Sequence, residues 1–152
     1  MTLEAILASA HFLAILTAVV FVTSETAICR TDWLNAKVVQ RLVTVDRIYL
    51  IGLAAVLTTG LARVLLGVKG SAWYWSNWLL HLKLGVFIVV VLLAIGPART
   101  YRRWLAELNA GGALPPAAEI DATRRRAFIA AHIIALVPIA AAFLARGFGA
   151  IG

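Results

Sequence analysis

The sequence predicts an all-α protein, a polytopic membrane four-helix bundle, and three observations lead there. Hydrophobic residues make up 62% of the 152-residue chain, against about 45–50% in soluble domains. They gather into four long apolar runs, each near the roughly 20 residues a helix needs to cross the hydrocarbon core. The runs and their connections use up almost the whole chain. It therefore reads as a single membrane domain, 1–152, with no room for a separate soluble unit.

The first span runs over about 3–28. It starts almost at Met1, has no basic flank before it, and exceeds the length of a signal-peptide core. It is expected to stay as the first helix. A polar connection, 29–40, leads to a second span over about 41–67, which carries Asp46, Arg47 and Arg63. The short connection 68–77 holds Gly70, Trp73, Tyr74 and Trp75. Aromatic rings of this kind favour the membrane–water interface, so this segment is expected on the membrane surface. The third span covers about 78–98, with His81 and Lys83 inside it and Gly96-Pro97 poised to kink or end it. The longest polar stretch, 99–126, has Gly111-Gly112 and Pro115-Pro116, a turn followed by a helix start. The fourth span, about 126–146, holds His132 and a kinking Pro138. Its many alanines allow close helix approach.

The formal net charge is +7. Nucleic acid is rejected as a partner, because the basic residues sit at the ends of apolar runs, where anionic lipid accounts for them. Arg30, Lys37, Arg41, Arg99, Arg102, Arg103, Arg124, Arg125 and Arg126 all fall on the side shared by the 1–2 and 3–4 connections. Only Arg63, Lys69 and Arg146 fall on the other. The positive-inside rule predicts a multi-pass protein of the bacterial inner membrane with both termini outside the cytoplasm. The lone Cys29 has no partner for an internal disulfide. With Met1 it leaves a copper(I) carrier short of soft ligands.

Ionisable groups inside a span are costly, and each is a functional candidate by default. Intramembrane histidine is the usual axial ligand of b-type haem, although a single one often bonds a neighbouring carbonyl. A rise of ~1.5 Å per residue sets His11 roughly 12 Å, and His81 roughly 5–8 Å, below the same membrane edge. His132 lies ~20 Å from that edge. His11 and His81 are thus the level pair, and a haem b between the first and third helices is the expectation. Gly85 shares a helix face with His81 and leaves room for a porphyrin edge. Arg63 and Lys83 lie at similar depth as candidates for the haem propionates, with Arg63 the stronger because Lys83 turns away from His81. The alternative for both cations is snorkelling to the surface. Glu4, His11, Ala18 and Glu25 recur every seven residues and form one stripe on the first helix. Glu25 is level with Asp46 and Arg47. A Glu25–Arg47 pair would bury both charges as structural glue, or these three would form the proton-handling, catalytic end of a redox site.

The run Trp78-Leu-Leu-His81-Leu-Lys83-Leu84, the closing Ala98-Arg99 and the early His11 resemble the third- and first-helix signatures of the HemJ-type protoporphyrinogen oxidases and the related CopD-like membrane proteins. That resemblance implies haem b and oxidation of a porphyrinogen. The HemJ-type first helix ends in a Pro-Arg pair followed by a histidine, whereas Thr23-Ser-Glu25-Thr26 stands here. The oxidase activity is therefore not implied as strongly as the haem ligands. Met1-Thr-Leu-Glu-Ala-Ile-Leu, His11-Phe-Leu-Ala and Ala145-Arg146-Gly147 resemble domain-of-unknown-function family 2214, a bacterial membrane family of this length.

Three functions follow as expectations. The first is a haem b-binding membrane oxidoreductase or electron-transfer protein acting on a quinone- or porphyrin-type substrate. The second is a non-enzymatic subunit or assembly factor of a larger membrane complex, without cofactor. The third is a small transporter lined by Glu4, His11 and Glu25, which at four helices would need a homo-oligomer.

Overall fold

The computed structural model describes residues 2–68 and 70–145, with the side chains of 140–142, 144 and 145 excepted. Lys69 and Arg146, both counted above, lie outside the described residues. The helices are α1 (Thr2–Ile28), α2 (Ala36–Leu66), the short α3 (Ser71–Trp75), α4 (Trp78–Asn109) and α5 (Ala117–Ala145). Among the described residues there is no strand.

Helices α1, α2 and α4 are long and apolar enough to cross a membrane. In α5, no Asp, Glu, Lys or Arg occurs from Ala127 to Ala145. The four long helices close a ring: α1 packs on α2, α2 on α4, α4 on α5, and α5 back on α1. Helix α3 lies across one end, touching α2 and α4. We call this the α3 end, and the opposite one, with the 29–35 and 110–116 connections, the basic end.

The bundle is apolar outside as well as inside. Phe12, Leu16, Ile51, Leu61, Leu92 and Leu136 are among the exposed large side chains. That surface suits lipid, where packing and not water exclusion drives helix association. Small residues set the tightest crossing. A Cβ on Gly52 would stand 3.3 Å from the Ala18 Cα, and Ala18 is fully buried. The core above it is Ile15, Val22, Leu53 and Val90.

The helices outrun the apolar windows of the sequence. Helix α2 begins at Ala36, α4 continues through Pro97 to Asn109, and α5 starts at Ala117. Most of the stretch 99–126 is therefore helical, and only residues 110–116 connect. The reason is a change of partner. Beyond the apolar run, α4 keeps a helical spacing of inward residues, Ala98, Tyr101 and Trp104, and α5 does the same with Ile120, Thr123 and Ala127. These faces pack with Cys29, Val39 and Leu42. The Trp104 indole donates to Glu119 Oε1 at 3.0 Å, and Arg103 pairs with the same carboxylate. Pro97 removes one backbone donor without ending the helix. Polar caps fix the starts: Asn35 Oδ1 accepts from Val38 N–H, and Asn77 Oδ1 from Leu79 N–H. Gly111, at φ 81°, makes the turn after α4.

Candidate functional site at the α3 end

A cleft of about 430 Å³ opens at the α3 end, a size within the usual range for small-molecule sites. Its polar wall is built by helix register. Glu4 and His11 come from one stripe of α1, Gly60 and Arg63 from α2, and Lys83 from α4. The apolar wall includes Trp73, Tyr74 and Phe87.

The hydrogen bonds of His11 define its tautomer. Its Nδ1 lies 2.9 Å from Thr59 Oγ1. The Thr59 hydroxyl donates its own proton to the Ala55 carbonyl at 2.5 Å. Thr59 Oγ1 is left only to accept, so His11 carries its proton on Nδ1 and keeps a lone pair on Nε2. Gly60 makes room for this ring: a Cβ there would stand 3.2 Å from His11 Cε1.

The cleft carries more positive than negative charge. Arg63 Nη2 meets Glu4 Oε1 at 3.5 Å, and Glu4 Oε2 also accepts from Val68 N–H at 3.3 Å. Arg63 Nε is buried without a hydrogen-bond acceptor. Lys83 is partly buried and makes no ion pair among the described residues. Its charge and that of Arg63 both act on His11. Two cations and one carboxylate leave the site with charge to pair with an anionic group.

Of the residues singled out for a cofactor, the structure brings His11, Arg63 and Lys83 together. His81 and Gly85 lie elsewhere. Residues two apart on a helix point nearly oppositely, and Lys83 takes the inward direction. His81 is exposed on the outer face of α4. Its Nε2 donates to the Trp75 carbonyl at 3.0 Å, and its ring sits 6.2 Å from that of Trp75. Gly85 is exposed, with open space where a Cβ would stand. His132 is also paired locally, its Nδ1 donating to the Phe128 carbonyl at 2.8 Å.

At the basic end, Glu25 and Asp46 are both 1% exposed. The expected Glu25–Arg47 pair does not form. Successive helical residues are about 100° apart, so with Asp46 turned inward Arg47 is swung out to the surface. The cation near the carboxylates is instead Arg102 of α4, whose Nη2 lies 3.6 Å from Asp46 Oδ2.

The family of predicted membrane proteins DUF2214 matches residues 3–149. The chain belongs to this family. No curated protein and no solved structure matches the chain. The HemJ-type and CopD-like likeness therefore rests on the few residues quoted for it.

Several residues that shape the site in this DUF2214 chain escaped the reading of its sequence. Thr59 and Gly60 hold His11, and Tyr74, read from the sequence only as an interfacial aromatic, lines the cleft. Thr and Gly are common in membrane helices, so neither type stands out. Their one signal is register, since Val56, Thr59, Gly60 and Arg63 share a face. Arg102 had been counted only toward topology.

Proposed function

We propose that this chain is a haem b-binding integral membrane redox protein, passing electrons to or from a quinone- or porphyrin-type substrate. The observation that carries the reading is the His11 ring, held by Thr59 with the Nε2 lone pair free beside two cations. Histidines that bind metal commonly donate their other ring N–H in this way. The residues fit the group in three respects. His11 Nε2 is the donor for iron, Arg63 Nε and Lys83 are available to propionates, and the aromatic wall suits a porphyrin face. When bound, the haem supplies one-electron oxidation and reduction. His11 would orient it, Arg63 and Lys83 would balance its carboxylates, and the surrounding apolar side chains would keep water out.

The sequence expectation of a second ligand at His81 requires that side chain to leave Trp75. The reading therefore takes His11 as the resident ligand. It sets the protein in the bacterial inner membrane with the basic end in the cytoplasm, supported by the asymmetry of Arg and Lys. The cleft then faces the outer leaflet.

The test is the visible spectrum of protein purified in mild detergent after expression with ample haem, oxidised and then reduced with dithionite. A b-type spectrum supports the reading. A flat spectrum overturns it and leaves the cofactor-free subunit of a larger complex as the better account.

A further inference from the structure

The basic end contains a polar nest that the cleft does not use. Glu25 of α1 and Asp46 and Tyr49 of α2 are each 1% exposed. Asp46 and Tyr49 are three residues apart and share a helix face. Glu25 and Asp46 act electrostatically on one another and on the Tyr49 hydroxyl. Glu25 Oε1, both Asp46 carboxylate oxygens and the Tyr49 hydroxyl have no hydrogen-bond partner among the described residues. Buried oxygens are very rarely left so, and the rule holds because bound water or ions fill the gaps.

The groups around the nest do not balance it. Arg102 on α4 approaches Asp46 but its side chain is 56% exposed. Arg124 on α5 gives its Nε to the Thr26 carbonyl at 3.1 Å. Asp121 on α5, Cys29 after α1 and the buried Tyr101 on α4 complete the surroundings. Arg124 and Asp121 offset each other. With both carboxylates ionised, Glu25 and Asp46 against Arg102 would leave one negative charge. The unsatisfied atoms are all oxygens, the donor type of hard cations. Among the described residues no group of three or more His, Cys, Asp and Glu side chains could hold a metal ion, so the Tyr49 hydroxyl would have to supply the third oxygen.

We propose that Glu25, Asp46 and Tyr49 form a binding site for one monovalent cation, an alkali ion or a proton, reached from the basic end past Arg102. One positive charge neutralises the nest, and the three side chains supply its oxygens from two helices. Occupancy at this site ties α1 to α2.

The experiment uses the purified full chain. Thermal unfolding is followed as sodium chloride replaces choline chloride at constant ionic strength, and infrared carboxyl absorption is followed as pH is varied. A sodium-dependent rise in Tm identifies the alkali ion. A titrating carboxyl band seen in the difference between wild type and Glu25→Gln or Asp46→Asn, where the other carboxylates cancel, identifies the proton if sodium has no effect. Either response should vanish in Glu25→Gln and in Asp46→Asn. Tyr49→Phe should weaken it several-fold while leaving far-UV circular dichroism unchanged. A wild type with neither response overturns the proposal, and so does a full response in both carboxamide variants. Should those variants fail to fold, an undiminished response in Tyr49→Phe overturns it as well.

Discussion

At the scale of single residues, the chemistry of the cleft depends on which nitrogen of His11 holds the proton. Thr59 decides this, because its hydroxyl is committed to the Ala55 carbonyl and accepts from Nδ1. Thr59→Val keeps the shape and removes the acceptor. Loss of such an orienting partner costs about 10–100-fold in metal affinity, so haem titration of Thr59→Val should show a drop of that order with the fold intact. Gly60→Val should have a larger effect, since its first added carbon already meets the imidazole. Cys29 makes the opposite case. It is fully buried and its Sγ–H faces the Ile120 carbonyl at 3.9 Å. Burial pushes the thiol up to about 11. The thiolate is the nucleophile, so at neutral pH a maleimide should leave Cys29 unmodified in the folded protein and label it rapidly once the chain is unfolded.

At the scale of elements, the apolar runs were readable because a membrane helix must hide its backbone in an unbroken stretch of greasy side chains. The ends were not. The tail of α4 and the head of α5 swap lipid for protein contact, and their inward faces are short patterns diluted by arginine. Tyr101, Trp104 and Ile120 carry those patterns. His81 and Lys83 show the same limit in the site: the sequence placed both in one span, but only packing determined which of the two faces the bundle. Two substitutions probe the elements. Gly52→Leu drives a side chain into the Ala18 backbone and should destabilise the α1–α2 pair by about 1–3 kcal/mol. Trp104→Ala empties a fully buried site and removes one of the two donors to Glu119, for a loss of about 3–5 kcal/mol. Denaturation in detergent, with each variant compared to wild type, measures both.

At the scale of the whole molecule, two polar ends face each other across an apolar middle. One has a cleft with more cations than carboxylates, the other a buried nest of two carboxyl groups and a phenol. Charge counts made the two ends distinguishable from the sequence, since the helix ends and connections at the basic end hold most of the arginines. The cleft itself was only partly legible. His11, Arg63 and Lys83 stood out as polar groups in apolar runs, while the walls that bring them together come from residues with no chemical signature. Orientation is testable through the turn after α4. An Ala113→Cys variant, at an exposed position that already carries a Cβ, should react with an impermeant maleimide in inside-out vesicles and not in intact cells, and the buried Cys29 should leave that readout clean. The reverse labelling would turn the cleft to the cytoplasm.

The most direct test of the central claim compares His11→Ala with His81→Ala in the reduced visible spectrum. The account predicts that His11→Ala loses bound haem while His81→Ala keeps it, because only His11 stands in the cleft with a free ring nitrogen. Haem retained in His11→Ala, or lost only in His81→Ala, would contradict it.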